Sequence, residues 1–288
     1  MDRYLFGNQQ VIIEQMTRKQ ADLAVEWANQ EGWNPGLYDA ECFFNTDPSG
    51  FFVAKINEEI VGTISVVKYS KDFAFGGFYL VRPELRRKGL GAVLFEFFEK
   101  YCQDLNVGID GVLEMQQTYQ KHGLILSHKN TRYATTASLT AKRSNRCMEI
   151  DPKDVAQIIA FDEKFFSVPR PKFLKCWLAQ KDSSSFMVKD SIGEICGYGV
   201  IRKCFRGYKI GPLFSNSSDV ADALFASLLS KVPGEQVFLD VPEVNLSAVS
   251  LANRNRMQPV FATVRMYTKY VPLLPLDKIY GVTSFELG

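Results

Sequence analysis

Three cations, Arg86, Arg87 and Lys88, run directly into Gly89-Leu90-Gly91-Ala92, and that spacing suits the cradling of a polyphosphate. A helix opening at such a loop presents backbone N–H groups with no intrahelical partner, together with the positive end of its dipole. Glycines at 89 and 91 lack Cβ atoms and let the backbone come close to the anion, while the three side chains add charge around it. The flanking sequence supplies the elements that must hold the loop. Residues 73–81 form an apolar run ending in Val81, before Arg82-Pro83, and read as a strand. Val93, Leu94, Phe97, Phe98 and Tyr101 recur on one face of a helix that starts at the glycines.

Two other phosphate-binding patterns fail. No Gly-x-x-x-x-Gly-Lys-Ser/Thr run exists in the chain. A dinucleotide fingerprint through Gly89 and Gly91 meets Leu94 where its third glycine belongs, although Asp110 does fall about twenty residues on, as that fingerprint asks. The plain structural alternative is a glycine-started helix beside a solvated basic turn.

Arg86-x-x-Gly89-x-Gly91, between a strand and an amphipathic helix, resembles the pyrophosphate signature of the GCN5-related N-acetyltransferases, the GNAT superfamily. The resemblance implies acetyl-CoA as co-substrate, held by Arg86, Arg87, Lys88, Gly89, Leu90, Gly91 and Ala92, with Leu80 and Val81 offering strand backbone to the pantetheine arm. Tyr119-Gln120-Lys121-His122-Gly123-Leu124 resembles the run after the family's fifth strand, with Leu124 in place of Phe, and implies Tyr119 as general acid. A phenol suits that role, because its pKa near 10 keeps it protonated at neutral pH and able to supply the departing thiolate with a proton. The family's frequent Asn ahead of this helix is not in its usual place, where Leu113 stands.

Acceptor contacts are implied by a further likeness: residues 31–44, EGWNPGLYDAECFF, resemble a run in a two-domain subgroup of the family, which points to Asn34 and Asp39. Locally, Asn34 before Pro35 is also ordinary turn chemistry, and Asp39 suits a helix cap. For the general base the chain offers Asp110 or Glu114, which period two places on one strand face and which could equally be solvent-facing charges. Neither His122 nor His128 has a sequence context for a catalytic triad.

With 288 residues the chain has length for two ordinary domains, expected at 1–144 and 145–288. A net charge of +2 argues against a nucleic-acid binder. The six cysteines include no Cys-x-x-Cys pair, so no metal site is expected. No secretory pattern opens the chain and no run of about 18 apolar residues occurs, which leads to the expectation of a cytoplasmic protein with no membrane partner. Whether it forms homo-oligomers is left open.

Along the chain, strands at 11–16, 51–56, 60–69 and 73–81, a helix capped by Thr17 and Gln20, the glycine-started helix, a strand at 107–113 and a short helix at 116–122 make the first unit. From residue 146 the order restarts, with a strand at 146–150, helices at 155–165 and 173–180, and strands at 185–189, 194–201 and 207–213. A later run at 237–242 parallels the strand at 107–113. In this copy the segment after the strand is Phe214-Ser215-Asn216-Ser217-Ser218-Asp219, with no glycine pair, no basic cluster, and Asp219 and Asp222 where a pyrophosphate needs cations.

The fold expected is therefore α/β (α+β): a tandem GNAT with a mixed, mostly antiparallel sheet flanked by helices and a degenerate second copy. The activity expected is transfer of an acetyl group from acetyl-CoA by direct attack of a small-molecule amine or a protein amine. A non-catalytic CoA-binding or sensing protein is the alternative.

Overall fold

The computed structural model describes residues 1–288. Its first half runs β1 (Asp2–Phe6), β2 (Gln9–Gln15), α1 (Arg18–Gln30), α2 (Asp39–Thr46), β3 (Phe51–Ile56), β4 (Glu59–Lys68), β5 (Phe73–Val81), α3 (Leu90–Cys102), β6 (Asn106–Val112), α4 (Gln116–Lys121) and β7 (Ile125–Thr136). The second half repeats this order from β2 onward as β8 (Met148–Glu149), α5 (Val155–Asp162), α6 (Pro171–Leu178), β9 (Ser183–Lys189), β10 (Ile195–Lys203), β11 (Tyr208–Ser215), α7 (Ser218–Leu229), β12 (Gln236–Pro242), α8 (Leu246–Arg254) and β13 (Gln258–Tyr267). A short β14 (Ile279–Gly281) follows. The expected cap of α1 is present in both directions: Thr17 N donates to Gln20 Oε1 at 2.7 Å and Gln20 N donates to Thr17 Oγ1 at 3.3 Å. Glu114 departs from expectation. The strand ends at Val112, and Glu114 lies exposed in the 3₁₀ turn Leu113–Met115, so it shares no strand face with Asp110.

All fourteen strands belong to one sheet, whose order is β1-β2-β3-β4-β5-β6-β13-β7-β12-β11-β10-β9-β8 with β14 beside β11. The last strand of each half has crossed to the other: β13 pairs with β6, β7 pairs with β12, and the two pair with each other. The division expected at residue 144 falls between β7 and β8, yet either half taken alone would lose a strand from its sheet.

Three large apolar cores follow. One lies under α3, built from Leu90, Leu94, Phe97 and Phe98, and its counterpart lies under α7, built from Val220, Leu224 and Leu228. The third is shared, because α1 and α2 pack there with α5 and α6. Phe43 stacks on Trp177 with ring centroids 5.9 Å apart. Buried ion pairs stitch the same seam, joining Asp39 to Arg202, Asp110 to Arg265 and Asp240 to Arg132.

The parallel pair β5/β6 holds register from Phe73↔Asn106 to Gly76↔Ile109 and then stops, although both strands continue. The equivalent pair β11/β12 stops after Ile210↔Leu239. In the second half the resulting gap is occupied: β14 pairs with β11 at Leu213↔Gly281 and Phe214↔Ile279, and Val282 N donates to Asp240 O at 2.9 Å. In the first half it is open.

Candidate active site

A cleft of about 630 Å³ fills the open gap, with β5 residues 77–81 on one wall and β6 residues 109–112 on the other. A bulge shapes the first wall. Gly76 faces Phe98 of α3, but Gly77 and Phe78 both turn to the opposite face; the pairing with β4 shifts between Thr63 and Ser65, and Phe78 has φ +46°. Thr63 Oγ1 donates to Phe78 O at 2.7 Å and pins the distortion. Beyond Gly76 no strand pairs with β5 on the side of β6, which leaves a backbone edge free to bind an extended ligand with amide groups. Leu80 and Val81 lie on that edge, Leu80 with its side chain in the shared core.

The basic loop closes the outer end. Gly89 caps α3 with φ +105°, a conformation glycine adopts without strain, and the N–H groups of residues 87–91 find no acceptor in the protein. Gly91 is a close-approach position, since a Cβ there would stand 2.8 Å from the Tyr79 hydroxyl, which donates to Gly91 O at 2.7 Å. The side chains divide their work. Arg87 (φ +58°) lines the cleft. Arg86 lines it too but is engaged, with Nε donating to Val81 O at 2.8 Å and Nη2 to Glu31. Lys88 is exposed outside the cleft, and Leu90 is buried in the core, so Leu90 offers the site only its backbone.

Tyr119 enters from α4 across β6, where its ring packs so tightly over Gly111 that a Cβ at 111 would stand 2.3 Å from it. Burial raises its phenol above the ordinary value and nearby Tyr79 adds to the rise, so the hydroxyl stays protonated well into the alkaline range.

Asn34 and Asp39 do not reach the cleft. Asn34 exchanges two hydrogen bonds with the backbone of Arg206, Nδ2 to O at 2.9 Å and N to Oδ1 at 2.8 Å, and so ties the first half's loop to the second half. Asp39 is fully buried, accepting from Gly36 N at 2.7 Å and from Arg202 Nε and Nη2 at 2.8 and 3.0 Å. Burial alone would raise its carboxyl, but Arg202 and the Gly36 amide outweigh this and hold it below the usual range. Both residues serve the seam, which corrects the acceptor contacts expected of them. From the same stretch it is Trp33 that lines the cleft.

Asp110 reaches the cleft wall, but both carboxylate oxygens are occupied by donors from Arg265 at 2.9 and 2.6 Å, and Asn130 adds another at 2.8 Å. Burial pushes it up against the pull of these groups, and a carboxylate clamped in this way is poorly placed to collect a further proton. A different acidic residue belongs to the cleft wall. Glu286 is 1% exposed, lines the cavity beside Phe285 and Phe261, and neither of its oxygens has a hydrogen-bond partner. Burial raises its carboxyl, Asp39 adds to the rise, and Lys209, Arg132 and Arg202 oppose it. The sequence carries one faint signal for it: Glu286 is the only charged residue in the otherwise uncharged run 279–288.

Residues 18–124 match the acetyltransferase (GNAT) family, and residues 158–281 match an acetyltransferase (GNAT) domain. Holothin acyltransferase of Pseudoalteromonas sp. (strain SANK 73390) is 35% identical over 264 residues, covering 91% of this chain and 90% of that one. The chain belongs to the GNAT family. As a GNAT protein it is an acyltransferase, built on a fold that uses acyl-CoA. Solved structures agree on the fold. A Pyrococcus horikoshii protein assigned as an acetyltransferase superposes with a TM-score of 0.81 at 20% identity, covering 99% of this chain and 98% of its own. A tandem GNAT protein from the clavulanic acid biosynthesis pathway superposes with a TM-score of 0.65 at 12% identity, covering 91% and 99%. This GNAT is likewise tandem. None of its helices is long and apolar enough to cross a membrane.

Proposed function

We propose that this protein moves the acetyl group of acetyl-CoA to an amine by direct attack, with Tyr119 as general acid. One observation carries the proposal: the open wedge joins the unpaired β5 edge, the bare N–H groups of residues 87–91 and Tyr119 in a single cleft. The pyrophosphate would lie on those N–H groups and Arg87, and the pantetheine amides along β5 past Gly77, which carries the thioester inward toward the bulge and Tyr119. A raised phenol pKa keeps the proton on Tyr119 until the thiolate leaves. The acyltransferase named for holothin supports acyl transfer and nominates holothin as the first acceptor to try.

The test is free-thiol release from acetyl-CoA against a panel of amines that includes holothin, with Tyr119→Phe beside the wild type. Amine-dependent release that falls about 100-fold or more in kcat in the variant is expected for a lost general acid. Tight acetyl-CoA binding with no turnover on any amine would replace this reading by the non-catalytic one.

A further inference from the structure

A carboxylate buried without a single hydrogen-bond donor is a costly arrangement; the cations nearest Glu286, namely Lys209, Arg132 and Arg202, give it none, which leaves both oxygens open to a donor brought by a ligand. Glu286 is placed where such a partner would come from. Its carbonyl oxygen lies so close to Gly77 that a Cβ there would stand 2.3 Å away, which sets Glu286 against the β5 bulge at the inner end of the cleft. That is opposite the end at which the basic loop sits. The surrounding wall is aromatic, made by Trp33, Phe261 and Phe285, and Arg132 props all of it. Arg132 Nη1 donates to Trp33 O, and its guanidinium carbon lies 5.6 and 4.8 Å from the ring centroids of Phe261 and Phe285.

We propose that Glu286 is the acceptor carboxylate of this cleft: it pairs with the ammonium group of the incoming amine and takes its proton, and the acceptor is a cationic amine on a compact apolar or aromatic body. This rests on the acyl-transfer reading above. The first ammonium proton passes to Glu286 and leaves to solvent with the products. The neutral nitrogen then forms its bond to the thioester carbonyl carbon, and the C–S bond breaks as Tyr119 protonates the thiolate. The second N–H proton returns to the Tyr119 phenolate through water, so one amide, one free thiol and one released proton balance each turnover. Burial supports the role, because it lifts the carboxyl toward the pH at which a base both accepts and releases a proton. The charged groups around Glu286 are Lys209 of β11, Arg202 of β10, Arg132 of β7 and Asp39 of α2, all buried; burial, and next the charge of Arg132, hold Lys209 below the usual lysine range, so it shares in the titration of this cluster.

Glu286→Gln, compared with the wild type, tests this in two assays. Acetyl-CoA binding is expected to be unchanged, while kcat/KM for the amine falls about 100-fold or more and the acidic limb of its pH profile disappears. Glu286→Asp, which keeps the charge on a shorter arm, is expected to restore the limb and part of the rate. Should Glu286→Gln fail to fold, the aspartate variant decides, and a pH profile without an acidic limb there overturns the proposal. Wild-type kcat/KM and pH profile in a Glu286→Gln protein that binds acetyl-CoA normally also overturn it.

If the wild type turns over no amine, the acyl-transfer reading fails, and calorimetry of the same amines onto CoA-loaded protein decides the acceptor site separately. Amine binding weakened about tenfold or more by Glu286→Gln upholds the carboxylate as the amine's partner. Equal binding, or no binding to either protein, overturns it.

Discussion

Both parallel strand pairs, β5 with β6 and β11 with β12, stop pairing partway along, and only one of the two gaps stays open. In the first half the β5 edge is left bare and a glycine-capped helix start waits beside it. In the second half β14 lies along β11, and the helix start is Ser217 and Ser218 with Asp219 paired to Arg146. One segment treats both gaps. It fills the second with Ile279–Gly281 and then runs on to place Phe285 and Glu286 in the first. The comparison teaches that a splayed sheet needs its loose edge satisfied by something. The copy whose helix start lacks glycines has its edge satisfied by its own chain, and the copy with the glycine loop leaves its edge bare.

The largest effect should come from the seam that holds the two copies together. Arg202→Met leaves Asp39 buried and unpaired, and removing one partner of such a pair costs about 3–5 kcal/mol, read as a lowered urea midpoint. Because Asp39 is held below its usual range, its part in stability is present above the unfolded carboxylate's pKa and is lost as pH falls through the depressed folded value. Next comes the phosphate loop. Gly91→Glu puts an anion where the pyrophosphate would sit, and like charges brought together cost several kcal/mol, so acetyl-CoA binding by calorimetry should weaken by about 100-fold or more. Ser217→Glu, the matching change at the start of α7, should leave that affinity where it is; an equal loss there would erase the distinction between the copies.

A smaller pair of changes separates the gaps themselves. Gly211→Ala places a Cβ 2.4 Å from Thr283 O, and Gly77→Ala places one 2.3 Å from Glu286 O. Overpacking of this kind costs about 1–3 kcal/mol, so both should lower the denaturation midpoint, but only Gly77→Ala should also lower kcat/KM, because only that collision moves a cleft residue. The smallest effect is a limb that fails to appear. A general acid works protonated, so activity falls as pH rises through its folded pKa. Burial raises Tyr119 above the ordinary value of about 10, and kcat should therefore hold level to about pH 9.5.

Much of the first copy was legible in the sequence for a local reason. The strand ending at Val81, the basic loop, Gly89, Gly91 and the apolar face of α3 lie within one short stretch, where backbone chemistry and period dictate the structure without help from elsewhere. The same locality made the second copy readable as one without a glycine loop, since Ser217 and Ser218 stand where the glycines would be and Asp219 lies in the first turn of the helix. Tyr119 was legible through its neighbours in the same way, and the structure sets it in the cleft.

Asn34 and Asp39 were misread because their partners, Arg206 and Arg202, stand more than 160 residues away and nothing in the local turn announces them. Glu286 escaped for the converse reason, having no partner and no motif around it. By itself, then, the sequence determined the helix start and the two missing Cβ atoms on which the proposed docking of the acyl carrier depends. Only the tertiary structure decided how the copies exchange β7 and β13, which gap is filled, and which acidic residue of the far C-terminal run lines the open one. Those are choices among long-range contacts, and a long-range contact is made by shape and burial that leave no spacing in the chain to read.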